Sequence, residues 1–295
     1  MSESFLPAFQ NLEFLCFYLS FAAFAMWEYK APLRLVNYSI RLRWLNNLGL
    51  FVLNTVLIRL ISPILTVAFA IEIQQSGWGF FNFLDLPEWF AVFVSFVLLD
   101  FFFYLKHRIA HNVPWFWRFH RVHHSDGEFD LSTSFRFHPL DVAYQTILQM
   151  FAVLVVGAPP LAVAAYAIVF MVVARLQHSN IRIPKAIDNT LRHFLVTADM
   201  HRIHHSSMKL ETNSNYGGVL PWHDKLLGTY THEPEGGQIG MQVGLDEFRE
   251  KKHMTLGWML LNPFLSKAYV SDVSHQKDSL LTGKQARFVG NVDKI

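Results

Sequence analysis

The sequence has little charge and almost no cysteine. Only 16% of its 295 residues are charged, whereas 52% are hydrophobic. A soluble domain has about 25% charged residues, so the composition argues against a large water-exposed surface and against disorder. The single cysteine, Cys16, excludes a disulfide scaffold. A net charge of +2 does not indicate binding to a polyanion, and we expect no nucleic-acid partner.

What the sequence does contain is long apolar runs, together with 28 phenylalanines and 15 histidines. A membrane-spanning helix needs about 20 mostly apolar residues, and the runs 5–27, 48–71, 89–105 and 142–174 approach or exceed that length. The fourth run is interrupted at Gly157-Ala-Pro-Pro160, which predicts a helical hairpin that enters the bilayer and returns. We therefore predict an all-α integral membrane helical bundle with a cytoplasmic, histidine-rich helical cap.

Loop charges predict how the bundle is oriented. The loop between the first two runs is basic, the next loop is acidic, and basic loops stay in the cytoplasm. Everything after Lys106 is then expected to begin on the cytoplasmic side. Residues 1–4 are not basic and no small-residue cleavage site follows, so the first helix is expected to remain in the mature protein. The charged residues of the two loops are Glu28, Lys30, Arg34, Arg41 and Arg43, then Glu72, Asp85 and Glu88.

Eight histidines form three motifs that are typical of metal ligands. Residues at i, i+3 and i+4 share one face of a helix, and neutral imidazole binds Fe, Zn, Cu and Ni. Eight nitrogens exceed the needs of one tetrahedral zinc, and they suit two ions with four or five nitrogens each. The motifs can share one site only if they lie on the same side of the bilayer. A hairpin at 142–174 keeps them there, whereas a single crossing would separate them. The motifs are His107 and His111, then His120, His123 and His124, then His201, His204 and His205.

The order of these motifs resembles the fatty acid hydroxylase/sterol desaturase superfamily of membrane oxygenases, particularly its bacterial members. Segments 100–124, 136–140, 177–180 and 213–217 are also similar to family segments. The resemblance covers roughly residues 89–230, and the three motifs together make it specific. The sequence departs from the family at residues 222–229, where His223 looks inserted and receives no role.

The resemblance implies that the eight histidines are catalytic metal ligands of a non-haem di-iron centre with O2 as co-substrate. It adds His178 as a further ligand, and it adds His138, whose position is often histidine in sterol-oxidising members. Zinc is expected to bind as a substitute in purified protein. A metal-bound imidazole usually donates its second ring N–H to an oxygen, and we call the residue that accepts it an outer partner. Asp100 is the favoured outer partner because it lies two turns before His107. The other candidates are Asp141, Asn180, Asp188 and Asp199.

The predicted function is an O2-dependent oxidoreductase that hydroxylates or desaturates a lipid such as a sterol or fatty acyl chain. The sequence has no nucleotide or haem motif, which implies an external electron donor of the ferredoxin or cytochrome b5 type. In a bacterium the enzyme would be in the inner membrane. The predicted parts are transmembrane helices in 1–106, a catalytic region in 107–235 that includes the hairpin 142–174, and a C-terminal segment in 236–295.

Three alternatives are open. Ether-lipid cleavage occurs in the same superfamily, and the spacing of the motifs does not distinguish it from hydroxylation. A membrane metal transporter would place ligands near the bilayer midplane, whereas these histidines follow the apolar runs. A two-zinc hydrolase would normally have carboxylate ligands, and the motifs contain none.

Overall fold

The computed structural model describes residues 5–36, 39–61 and 66–265, and the secondary structure in these ranges is helical apart from two isolated β-bridges. The longer helices are α1 (Phe5–Lys30), α2 (Ile40–Ile61), α3 (Thr66–Gln75), α4 (Glu88–Asn112), α5 (Pro114–His124), α6 (Pro139–Val156) and α7 (Pro160–His178). The shorter ones are α8 (Lys185–Leu191), α9 (Ala198–His204), α10 (Lys209–Thr212), α11 (Trp222–Leu226), α12 (Gly237–Gly240) and α13 (Leu256–Leu261). Short 3-10 helices cover Phe80–Phe83, Leu131–Phe135, Asp246–Phe248, Lys251–Met254 and Asn262–Phe264.

Four of these helices, α1, α4, α6 and α7, are long and apolar enough to cross a membrane, judged by length and composition. Their outward faces expose large apolar side chains such as Phe14, Phe93 and Phe151. Exposed apolar surface on this scale suits contact with lipid. The prediction of an all-α helical bundle with membrane-length apolar helices is confirmed.

The described residues cover only part of the second apolar run, 48–71. It covers the end of α2 and the start of α3, and residues 62–65 lie outside the described ranges. Neither α2 nor α3 is among the helices long and apolar enough to span. The described part of α2 has a polar inner face, where Asn47 donates to Ser132 Oγ at 3.0 Å and Asn54 donates to the Phe137 carbonyl at 2.9 Å.

Helices α6 and α7 form a hairpin that leaves the histidine-rich end of the bundle and returns to it. Gly157 ends α6 in the left-handed conformation (φ 65°), and Pro160 begins α7. A Cβ on Gly79 would lie 2.3 Å from the Gly157 Cα, so two glycines allow the loop before α4 to pack against the hairpin turn. The predicted division of the chain into three parts stays a prediction. The described residues up to Phe264 form one compact unit, and 266–295 lie outside the description.

Polar contacts join the basic segment 28–43, from the end of α1 to the start of α2, to the loops that follow the histidine-bearing helices. The Glu28 carboxylate accepts hydrogen bonds from the backbone N–H of Leu131 at 2.9 Å and of Asn180 at 2.8 Å. The Arg43 guanidinium donates to both carboxylate oxygens of Asp126, at 2.8 and 2.9 Å. The basic segment therefore lies at the same end of the bundle as the histidines.

Candidate metal centre

Three helices with well-defined ends carry the histidine motifs. Helix α4 presents its histidines in its last two turns and ends before Val113-Pro114, where Pro114 takes the first position of α5. Proline suits that position because the first turn of a helix leaves its N–H groups unpaired. Helix α9 begins after Thr197, whose side chain accepts a hydrogen bond from the Met200 N–H.

The structure brings nine of the ten predicted ligands into two groups, and in each group the candidate nitrogens lie within 4.8 Å of one another. Both groups combine histidines from before and after the α6–α7 hairpin. Eight of the nine residues are buried and His111 is partly buried. The five-histidine cluster is His107, His111, His120, His124 and His204, and the four-histidine cluster is His123, His178, His201 and His205.

Inside each cluster the Nε2 atoms face one another. The Nε2–Nε2 distance is 3.0 Å between His107 and His204, and 3.1 Å between His123 and His178. A metal bond to imidazole is about 2.0–2.1 Å long, so two ligands of one ion at a right angle are about 3 Å apart. The His205 Nε2 is buried without a hydrogen-bond partner among the described residues. These observations fit one metal ion in each cluster.

The two clusters are neighbours. The His124 ring of the first stacks on the His205 ring of the second, with centroids 4.5 Å apart and an interplanar angle of 21°. His204 and His205 are consecutive residues that belong to different clusters. The arrangement therefore offers two adjacent candidate metal sites.

Burial lowers the pKa of five clustered imidazoles at the ends of α5 and α9 and so favours their neutral form. Loss of solvent, together with the neighbouring imidazoles, lowers the pKa of His123, His124, His201 and His205 well below the usual value. Burial also lowers the pKa of His204, to about 3. Neutral imidazole is the metal-binding form, so these side chains are ready to bind metal at pH 7.

Oxygen atoms hold the Nδ1 side of several rings. The Nδ1 of His107 lies 2.9 Å from the Tyr216 carbonyl, and that of His204 lies 2.7 Å from the Ser214 carbonyl. A carbonyl can only accept, so Nδ1 carries the proton and Nε2 keeps the lone pair that a metal needs. The His178 Nδ1 meets the Ala174 carbonyl in the same way, at 2.6 Å.

Of the five polar residues considered as outer partners, only Asp141 contacts a motif histidine, with its Oδ2 3.1 Å from His120 Nδ1. The expectation for Asp100 is wrong, because its carboxylate accepts from the Val219 and Leu220 N–H groups and from the Tyr166 hydroxyl. Asp188 and Asp199 instead pair with arginines on their own or neighbouring turns, and Asn180 bonds to the backbone of residues 33 and 34.

A polar side chain that the sequence did not single out, Asn213, also contacts a predicted ligand, with its Oδ1 3.3 Å from His111 Nδ1. It opens the segment 213–217, which also supplies the Ser214 and Tyr216 carbonyls. The resemblance of that segment to the family was the available signal. A backbone carbonyl leaves no side-chain signal in a sequence.

His138 is the one predicted ligand that the structure keeps apart from both clusters. Its Nδ1 accepts from the Leu140 N–H at 3.1 Å and so caps α6, while its Nε2 lies 3.3 Å from the Leu260 carbonyl. With both nitrogens engaged, His138 is left out of the ligand set proposed below. His223 is also apart, and its Nε2 lies 3.3 Å from the Asp100 carboxylate.

Removal of the Asp141 carboxylate is expected to weaken metal binding. Loss of such an outer partner costs about 10- to 100-fold in metal affinity, and we expect this loss in Asp141→Ala. Asp141→Asn keeps an acceptor for His120 and should lie between Ala and wild type. Competition with a chelator measures the affinity, and Asp246→Asn, at an exposed surface position, is the control. Equal affinity in Asp141→Ala and wild type would contradict this role.

A cavity of about 380 Å³ reaches the clusters from between α4, α6 and α7. His107, His120, His123, His178 and His201 form part of its wall. Most of the remaining wall surface is apolar and includes Phe103, Val163, Ala167 and Phe170. Polar side chains from several elements also line it: Thr66, Lys106, Ser134, Gln145, Thr146, Gln149, Tyr166 and Gln177. A cavity of this kind can hold an apolar chain next to the metal ligands and exclude bulk water.

The bundle and its two clusters define an α-helical protein of membrane-spanning hydropathy with a candidate two-metal, all-nitrogen centre. Residues 92–229 match the fatty acid hydroxylase family, so the chain carries a domain of that family. The resemblance predicted from the histidine motifs is thereby confirmed. No solved structure matches the chain significantly.

Several curated proteins are similar over part of the chain. An ornithine lipid hydroxylase of Rhizobium tropici is 33% identical over 148 residues, which are 50% of this chain and 44% of that protein. An alkylglycerol monooxygenase of Homo sapiens is 29% identical over 188 residues, 59% of this chain and 39% of that protein. A cholesterol 25-hydroxylase-like protein of Danio rerio is 30% identical over 144 residues, 46% and 54% of the two chains. The chain thus spans about half, or less, of the length of these relatives.

Proposed function

We propose that this protein is an integral membrane oxidoreductase that uses O2 and a non-haem di-iron centre to hydroxylate a lipid. The observation that carries the proposal is the convergence of nine histidines in two adjacent clusters at one end of a bundle of apolar helices. The fatty acid hydroxylase domain and the relatives named as lipid hydroxylases support the same class of reaction.

Iron fits both the ligands and the reaction. Imidazole accepts iron and zinc alike, but zinc has no redox chemistry. Bound iron would supply the O2-dependent oxidation of an unactivated C–H bond. The five-histidine cluster would hold one ion and the four-histidine cluster the other, with no carboxylate in either.

The chain's own part in the reaction is to position the ligands and the substrate. The Tyr216 and Ser214 carbonyls and the Asp141 carboxylate orient the rings of His107, His204 and His120. The apolar side chains of the cavity hold the lipid chain against the histidines. Because most of the cavity surface is apolar, it also disfavours bulk water near the reacting carbon.

We place the centre on the cytoplasmic side of the membrane. The basic segment that contains Arg34 and Arg43 contacts loops at the histidine end of the bundle, and basic segments stay in the cytoplasm. An electron donor of the ferredoxin or cytochrome b5 type would then reach the centre from the cytoplasm.

Ether-lipid oxidation is a second candidate for the same centre. Four relatives from animals, 28–30% identical, are named alkylglycerol monooxygenase. Oxidation of the carbon next to an ether oxygen requires the same positioned C–H bond and the same metals. The two candidates differ only in the lipid that the cavity accepts.

Mass spectrometry of lipids after a reaction with O2 tests the proposal. Protein loaded anaerobically with iron is mixed with a reductase system, O2 and either a total lipid extract or an alkylglycerol. We expect a product that has gained one oxygen atom, or lost two hydrogen atoms, and none with zinc-loaded protein. If the iron-loaded and zinc-loaded proteins give the same lipids in both mixtures, the proposal is wrong.

A further inference from the structure

Lys106 is a cation in the wall of the apolar cavity. It lies directly before His107 on α4, is 9% exposed, and lines the same cavity as the metal ligands. Its Nζ lies 3.2 Å from Gln149 Oε1 and 3.5 Å from the Gln145 carbonyl. The Phe103 ring is beside it, with its centroid 4.8 Å away. Among the described residues no carboxylate lies within 4.0 Å of this nitrogen.

Burial of the Lys106 charge costs free energy unless an opposite charge or a ligand offsets it. A charged side chain in a membrane helix usually pairs with an opposite charge or marks a substrate pathway. An ammonium group has three N–H donors, and Lys106 has two oxygen partners in the described part of the chain. Both hydrogen-bond partners are neutral amide oxygens, which compensate a buried charge only partly. The Asp141 carboxylate also attracts Lys106, but it lies beyond ion-pair distance and is engaged by His120 and Gln145.

The polar side chains near Lys106 form a strip on one side of the cavity. Gln145, Thr146 and Gln149 of α6 line it together with Lys106. On the facing side, α7 contributes the apolar side chains of Val163, Ala167 and Phe170. Tyr166 and Gln177 of α7 also line the cavity, but the Tyr166 hydroxyl donates to Asp100 and the Gln177 amide donates to the Gly218 carbonyl. A molecule that fits both sides has a polar group at one end and a hydrocarbon chain.

We propose that Lys106, supported by Gln149, binds an anionic oxygen group of the lipid substrate, a carboxylate or a phosphate. The inference rests on the proposed function and specifies its substrate as an anionic lipid. Since Lys106 and His107 are adjacent and line the same cavity, the anionic end would lie near the metal centre. The hydrocarbon chain would then run along α7 towards Val163, which is fifteen residues, or about 22 Å of helix, from His178.

Binding of three matched amphiphiles to the metal-loaded protein in nanodiscs of neutral lipid tests this proposal. Oleate, oleyl phosphate and oleyl alcohol share the same chain and differ in the headgroup. A hydrogen bond to a charged group contributes about 1.5–3 kcal/mol, so we expect at least one anion to bind about 10- to 100-fold more tightly than the alcohol. The anion with the larger preference identifies the headgroup.

Lys106→Met should bind the preferred anion no more tightly than the alcohol, with the alcohol affinity unchanged. Lys185→Met, at an exposed position outside the cavity, should keep the preference. Gln149→Leu, a neutral change, should reduce the preference several-fold and gives a second test if Lys106→Met does not fold. A wild-type protein without any preference, or a Lys106→Met variant that keeps it, would overturn the proposal.

Metal content and O2-dependent lipid oxidation are measured on the same samples. Oxidation of lipids by a wild-type protein that shows no anion preference would reject the role of Lys106 and leave the proposed function standing. An anion preference without any oxidation would reject the proposed function alone. The two failures are therefore distinguishable.

Discussion

Replacement of His204 with alanine is expected to remove the metal ion from the five-histidine cluster and to abolish lipid oxidation. His204 is the only residue of α9 in that cluster, and its Nε2 lies 3.0 Å from that of His107. Its loss disconnects the cluster from the part of the chain after the hairpin. We expect metal content to fall from two ions per chain to about one. Activity should fall by more than about 100-fold, because loss of a ligand should cost more than loss of an outer partner, which costs at most about 100-fold.

Two further variants make the result specific. His201→Ala removes a ligand of the four-histidine cluster and should give the same loss through the other ion. His193→Ala removes an exposed histidine outside both clusters and should keep both ions and full activity. Elemental analysis of protein purified from membranes measures the metal. Full occupancy in His204→Ala would show that the site is misplaced.

Replacement of Arg43 with methionine is expected to lower the free energy of unfolding by about 3–5 kcal/mol, the usual cost of leaving buried charges without their partner. The Arg43 guanidinium is fully buried and pairs with Asp126 and Asp130. Burial alone would raise the pKa of Asp126, but Arg43 and Arg136 hold it at about 2. Without Arg43, the Asp126 and Asp130 carboxylates, which lie in the loop after His124, lose the cation that stabilises them.

Arg41→Met is the matched control, because Arg41 lies two residues away on α2 and is exposed. Its effect on unfolding in detergent should be within about 0.5 kcal/mol. The double variant Arg43→Met with Asp130→Asn should recover part of the lost stability, since the unpaired Asp130 charge is removed as well. If Arg43→Met unfolds like Arg41→Met, the ion pairs do not support the loop.

The sequence was sufficient to predict which histidines come together, because metal chemistry constrains residue type and spacing together. The H-x-x-H-H motifs required convergence of 120–124 with 201–205, and both clusters in the structure combine these segments. His178 has no motif of its own. Only the resemblance indicated it, and the structure places its Nε2 3.1 Å from that of His123.

The features that the sequence did not predict depend on tertiary contacts. His138 matched a family position, but its side chain caps α6 because it directly precedes Pro139 and Leu140. Asp100 had helical spacing to His107, yet its carboxylate faces the N–H groups of residues 219 and 220. Spacing along one helix cannot show which distant backbone approaches it.

The apolar run 48–71 shows a similar limit. Hydropathy did not indicate that α2 begins earlier, at Ile40, or that it turns polar side chains inward. Arg43 and Asn47 meet partners in the loop 126–136, which no local pattern indicates. The sequence also did not single out Lys106, because the cavity that it lines forms only when several helices pack together.

Anomalous diffraction at the iron edge, from crystals of iron-loaded protein, tests the central claim most directly. The claim is that histidines on both sides of the α6–α7 hairpin hold two adjacent metal ions. We predict two iron peaks per chain, one bonded to His107 and His204 and the other to His123 and His201. A single peak, or a peak bonded to residues 107–124 that residues 201–205 do not reach, would contradict the account.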